Sequence, residues 1–187
     1  MIIDRTKIEK AVKLFLEAIG ENSEREGLIE TPRRVANMCA EMFEKNSNVD
    51  ESALFKSFNV NFDGLVVVKD ISFCSFCEHH LMPFFGNVHV AYIPGSRVIG
   101  LSKIARIVNL FSGRLQLQER LTNSIASAIF HNLNAKGVMV AVDGFHSCVA
   151  LRGVKKASSR TLTFISNGVC KNNESYRSEF LKLVGLF

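Results

Sequence analysis

The residues best suited to chemistry stand in two clusters. Cys77-Glu78-His79-His80 sets a thiol and an imidazole three positions apart, on one side of a turn and within reach of a single ion. His146-Ser147-Cys148 adds an imidazole and a thiol two apart, on the same side of an extended segment. Together they offer two thiols and three imidazoles, a donor set that selects zinc over magnesium or calcium. Two Cys and one His would leave a fourth position for water, the arrangement of catalytic rather than structural zinc. The imidazoles left over would then be acid–base groups beside the metal.

Other patterns are weaker. Cys74-x-x-Cys77 also fits a redox pair or half of a zinc knuckle, but no second pair follows and no thioredoxin-like βαβ pattern surrounds it. Cys39 and Cys170 read as small apolar fillers. His89 alternates within a strand, and His131 sits near a helix C-terminus, where the dipole favours it. The His-x-Glu…Pro-Cys-x-x-Cys signature of zinc deaminases is absent.

The elements that must carry these clusters follow from periodicity. Asp4 is an N-cap for a helix with Ile8, Val12, Phe15 and Ile19 on one face, ended by Gly20. Thr31-Pro32 starts a second helix, with Val35, Met38, Met42 and Phe43 as its stripe. Residues 46–50 form a boundary, so the predicted division is a helical segment over 1–50 and a catalytic domain over 51–187. Strands are predicted at Val66–Val68, Val88–Ile93, Gly137–Val142 and Arg160–Phe164. Helices are predicted from Ser102, which reads as an N-cap, from Gln118 to Leu133, and from Glu174 to Leu183. Two strands, two helices and two more strands give an α+β domain with helices gathered on one sheet face.

Composition narrows the setting. The 187 residues are 47% hydrophobic and 22% charged, enough for one sizeable core and no wholesale disorder. No apolar run approaches the roughly 20 residues a membrane span needs, and the N-terminus lacks the pattern of a leader, so a soluble cytoplasmic protein is expected. Five cysteines at irregular spacing argue against a disulfide framework there. The net charge of +5 without a polybasic block favours a small polyanion as partner.

The run Cys77-Glu78-His79-His80-Leu81-Met82-Pro83-Phe84 closely resembles the signature of the GTP cyclohydrolase I family. So do Val98-Ile99-Gly100-Leu101-Ser102-Lys103-Ile104-Ala105-Arg106-Ile107-Val108, Gln116-Leu117-Gln118-Glu119-Arg120-Leu121-Thr122, and His146-Ser147-Cys148 with Arg152-Gly153-Val154. Upstream, Arg25-Glu26-Gly27-Leu28 and Thr31-Pro32-Arg33-Arg34-Val35-Ala36 look like its N-terminal helical motif. The motifs come in order and span most of the chain.

The resemblance implies a T-fold, an antiparallel sheet with helices on one face, behind an N-terminal helical segment. It also implies a ring-like homodecamer with active sites at subunit interfaces. The activity implied is hydrolysis of GTP to 7,8-dihydroneopterin triphosphate and formate, with Zn2+ as cofactor and with neither nucleic acid nor membrane as partner. Cys77, His80 and Cys148 resemble the zinc ligands, the metal activating water for attack on guanine C8. His146 resembles the acid that protonates N7, and His79 its partner near the ribose oxygen. Ser102 resembles a hydroxyl beside the ribose. Glu119 is similar to the carboxylate that reads the guanine N1–H and 2-amino edge, with Gln118 beside it among the substrate contacts. Lys103, Arg106 and Arg152 look like the triphosphate grip, with Leu101 at the start of the same helix and Arg34 contributed by a neighbouring subunit. The chain departs from the family pattern at Asn37, Cys74, Gly113 and residues 165–171. Two further classes compete: a related T-fold enzyme that opens the ring but yields another pterin precursor, and a non-catalytic zinc-stabilised nucleotide-binding module.

Overall fold

A computed structural model of the chain describes residues 3–43 and 51–186; the boundary expected over 46–50 lies outside them. Contacts divide the chain into two units, Met1–Val49 and Asp50–Phe187.

In the first unit, α1 (Arg5–Ala18) is capped as the sequence suggests, the Asp4 side chain accepting from the Lys7 amide at 3.0 Å. Its inner face differs from the predicted one. Phe15 and Ile19 are exposed, and Leu16 is the buried residue, so the stripe runs Ile8, Val12, Leu16 at strict four-residue spacing. Helix α2 (Thr31–Phe43) buries Ala36 and Ala40, while Met38 faces outward. These small residues let α1 and α2 pack closely.

The second unit contains α3 (Glu51–Leu54), β1 (Ser57–Asn59), β2 (Val66–Cys77), β3 (Pro83–Ile93), β4 (Arg97–Ile99), α4 (Leu101–Ser112) and β5 (Leu115–Gln116). It continues through α5 (Gln118–Leu133), β6 (Gly137–His146), α6 (Ser147–Ala150), β7 (Thr161–Gly168) and α7 (Glu174–Leu183). The main sheet has the order β5-β2-β3-β6-β7. Its long strands are antiparallel, and β5 joins β2 in parallel. Strands β1 and β4 form a separate antiparallel pair. The class is α+β, as expected.

The strands outrun their predicted lengths. Lys69-Asp70 breaks the valine run in sequence, but the chain absorbs both residues in a bulge between Val68 and Ile71 and then continues as strand to Cys77. Asp70 takes a left-handed conformation there (φ 59°), and its amide donates to His89 Nδ1 at 3.1 Å. Strand β3 begins at Pro83, where a missing N–H costs no interior ladder bond. Residues 78–82 are therefore the tip of the β2–β3 hairpin.

The central strands are apolar on both faces. Val88, Val90 and Tyr92 of β3 and Val138, Val140 and Val142 of β6 are almost wholly buried. Their alternating neighbours Ala91, Ile93, Met139 and Ala141 pack with Phe180 of α7 and with Val184 just after it. Helix α4 packs on β2, and α5 lies over β6 and β7. Burying a side chain of this size stabilises by about 1.5–3 kcal/mol, so this double-sided core holds the frame on which the hairpin tip sits.

Candidate active site

The hairpin tip folds around Cys77. The Cys77 amide donates to the Met82 carbonyl at 2.9 Å, and the Cys77 carbonyl accepts from the Leu81 amide at 2.9 Å. Leu81 closes the turn with φ 52°, an uncommon conformation for a branched side chain. The register Phe84↔His146 then brings the end of β6 against the start of β3. The Ser147 hydroxyl donates to the Pro83 carbonyl at 2.5 Å and fixes the turn into α6. That single crossing delivers Cys148 to the tip.

The ligand atoms of Cys77, His80 and Cys148 all lie within 4.8 Å of one another, with Cys77 Sγ 3.7 Å from His80 Nδ1. Tetrahedral zinc, with bonds of about 2.3 Å to sulfur and about 2.1 Å to nitrogen, sets its donors roughly 3.5–3.8 Å apart. The donor set fits that ion in type and spacing. Both cysteines are buried and the imidazole is exposed, leaving one side open. Burial, reinforced by the adjacent Cys77 thiol, pushes the Cys148 thiol up, so metal uptake must displace its proton.

His146, two residues before Cys148, stacks flat on Phe84, with centroids 4.7 Å apart and planes 6° apart. Its Nε2 lies 2.8 Å from Gln118 Oε1. Burial holds this imidazole below its ordinary pKa, with the Glu119 carboxylate pulling the other way. Glu119 is exposed in the first turn of α5. It lines a cavity of about 200 Å³ with Thr122, Asn123, Thr163, Phe164 and Ile165, at the β7 edge of the sheet. Gln118, by contrast, is 2% exposed, and its amide is bonded within the protein.

The remaining predicted contacts sit on other elements. His79 is exposed beside His80, their ring centroids 6.2 Å apart. Leu101, Ser102, Lys103 and Arg106 lie on the first two turns of α4. Here the sequence reading needs correcting: Gly100 is the N-cap, in an extended conformation, and no side chain caps the helix. Ser102 is the second helical residue, and the leading amides of α4 lack a capping side chain, as an anion site requires. Lys103 Nζ donates to the Ala53 carbonyl at 2.9 Å. Arg152 is exposed just after α6 and lowers the pKa of Cys148, opposing the larger effect of burial. Arg34 is exposed on α2, in the other unit. At the departures noted above, Asn37 accepts from Arg5 at 3.3 Å, Gly113 ends α4, Cys74 is exposed, and residues 165–168 complete β7.

Sequence reasoning missed three parts of this site. Phe84 as the backing plate for His146, the Thr122–Thr163 pair behind Gln118, and Arg120 gripping Glu78 all join residues far apart in the chain. Only the Gln118–Thr122 spacing, one helical turn, carried a local signal.

The GTP cyclohydrolase I family matches residues 8–185. The chain is similar to GTP cyclohydrolase 1 of Clostridium kluyveri, 50% identical over 97% of this chain and 98% of that protein. It is also similar to that of Clostridium perfringens, at 48% over 99% and 100%, and that of Streptococcus pneumoniae, at 46% over 98% and 100%. Among solved structures, an archaeosine synthase QueF-Like in the apo form matches 56% of this chain and 93% of its own, with 22% identity and a TM-score of 0.45.

Proposed function

The chain belongs to the GTP cyclohydrolase I family and is an enzyme of that kind; on that premise we propose that it converts GTP and water to 7,8-dihydroneopterin triphosphate and formate, with zinc held by Cys77, His80 and Cys148. The observation that carries the reading is the convergence of those three donors within 4.8 Å, beside the stacked, half-buried imidazole of His146. When bound, the ion supplies Lewis-acid activation of water for attack at guanine C8.

The chain's own residues do the rest. His146 protonates N7, which makes the poorly electrophilic C8 open to attack. His79, exposed at the hairpin tip, serves proton transfer at the ribose ring oxygen, with Ser102 placing a hydroxyl beside the sugar. Glu119 accepts from the guanine N1–H and 2-amino groups, donors that adenine does not present together. Lys103, Arg106 and Arg152 hold the triphosphate at the uncapped start of α4, next to Leu101. Lys103 has three donors and can keep the Ala53 carbonyl while binding phosphate. Arg34 reaches the triphosphate from a neighbouring subunit, within a ring-like homodecamer whose active sites form between chains. No helix among the described residues is long and apolar enough to cross a membrane. Residues 51–187 form the catalytic T-fold and 1–50 the helical segment.

The deciding experiment incubates zinc-loaded protein with GTP and measures formate together with fluorescent neopterin phosphate after oxidation. Both products are expected. Formate without the pterin would favour a ring-opening relative, and neither product from zinc-bound protein would reduce the chain to a nucleotide-binding module.

A further inference from the structure

The hydrogen bonds around Gln118 have one self-consistent direction. Its Nε2 lies 3.0 Å from the Val142 carbonyl and 2.8 Å from the Thr161 carbonyl. Carbonyl oxygens only accept, so the nitrogen must face them, and the amide cannot be flipped. Its third neighbour is Thr163 Oγ1 at 3.1 Å. Thr163 Oγ1 is in turn 2.6 Å from Thr122 Oγ1, which is 2.8 Å from the Gln118 backbone carbonyl. That carbonyl must accept from Thr122, so Thr122 accepts from Thr163, and Thr163 Oγ1 is a third acceptor that shares one of the two Gln118 Nε2 hydrogens with a carbonyl. The ring closes with each hydroxyl proton used once.

The remaining atom, Oε1, therefore faces His146 Nε2 at 2.8 Å. A carboxamide oxygen carries no proton, so the hydrogen between them belongs to Nε2. Rearrangement has no room: Gln118 is 2% exposed, and a methyl group on Gly144 would collide with Oε1. The Phe84 stack fixes the plane of the imidazole.

We propose that Gln118 is a positioning residue that locks His146 as the Nε2–H tautomer and leaves Nδ1 as the one ring nitrogen that exchanges a proton with substrate. The assignment rests on His146 being the acid of the proposed reaction. In the transfer, the Nδ1–H bond breaks, an N7–H bond forms on the purine, and the positive charge passes to the purine. The imidazole left behind is neutral, with its hydrogen on Nε2 and its lone pair on Nδ1, ready for the reverse transfer. Gln118 changes no bond of its own.

Nitrogen-15 spectra of the zinc-loaded, full-length protein labelled at histidine test this directly, with His146 identified by its loss in His146→Ala. In the neutral ring a pyrrole-type Nε2 and a pyridine-type Nδ1 are expected; the opposite pattern overturns the proposal. Gln118→Leu should abolish the single tautomer and lower kcat roughly 10²-fold, with KM for GTP within roughly threefold. A raised KM with unchanged kcat would make Gln118 a substrate contact instead. Should that variant not fold, the spectrum of the unaltered protein still decides. Failure to release formate defeats the catalytic reading, whereas an Nδ1–H ring in a protein that does release it defeats the positioning role alone.

Discussion

Arg120 holds Glu78 with both terminal guanidinium nitrogens, Nη1 to Oε2 at 2.5 Å and Nη2 to Oε1 at 3.1 Å. The fork ties the hairpin tip to the first turn of α5, and it keeps the Glu78 carboxyl below its ordinary pKa. Glu78 lies between Cys77 and the two histidines, so the clamp sets the posture of the metal turn. Arg120→Ala should speed zinc loss to a chromophoric chelator roughly tenfold, the lower end for groups that orient ligands. Arg120→Lys should not restore it, because an ammonium cannot make the fork. Unchanged release rates in both variants would remove the clamp from the metal site.

Cys148→Ala should lose its zinc, because two donors remain where three converge. His146→Ala should keep zinc and lose turnover by roughly 10²–10⁴-fold. Elemental analysis beside a formate assay separates the two, and full zinc occupancy in Cys148→Ala would refute the ligand assignment.

Glu119 is exposed at its cavity and free to accept two donors from a base. The unaltered enzyme should therefore prefer GTP over inosine triphosphate, which lacks the 2-amino group. Glu119→Ala should lower kcat/KM for GTP roughly 10²-fold, the loss of two hydrogen bonds to a charged group, and should shrink that preference. A preference that survives the substitution intact places guanine reading elsewhere.

His89 predicts the pH dependence of stability. Burial holds its imidazole below the ordinary 6.5; Asp70 and Asp143 oppose that shift and Lys69 adds to it. As pH falls through about 6.5 the unfolded chain takes up the proton first, so stability is full above that value and declines towards the lower folded value. His89→Asn keeps an acceptor for the Asp70 amide but cannot titrate. Between about pH 7.5 and about pH 5 the unaltered protein should lose more thermal stability than this variant. Equal losses would show that His89 does not carry the effect.

Local rules were legible and distant pairings were not. The extent of α5 from Gln118 to Leu133, α7 from Glu174 to Leu183 and the Asp4 cap follow from periodicity and end chemistry within one or two turns. The converging donors Cys77, His80 and Cys148 were legible because thiols and imidazoles at such spacing have few other uses. The helix face through Phe15 failed by one residue, since a 3.6-residue period cannot separate Leu16 from its neighbour. The strands were read short because a bulge and an initial proline look like breaks in one dimension. Arg120 with Glu78, and Gln118 with Thr161 and Thr163, depend on which strands lie side by side. No spacing rule reaches across that distance.

Strand β5 has two residues, and Gln116 sits beside Cys77 in register before α5 opens at Gln118. One inserted or deleted residue at Leu117 would turn every later position of α5 by about 100° about the helix axis. Gln118 would swing away from His146 and Glu119 from its cavity, while Cys77, His80 and Cys148 stayed where they were. Homologues that keep the activity should therefore tolerate length variation in many surface loops but none at this joint, and an engineered one-codon indel there should yield a folded, metal-loaded protein without turnover.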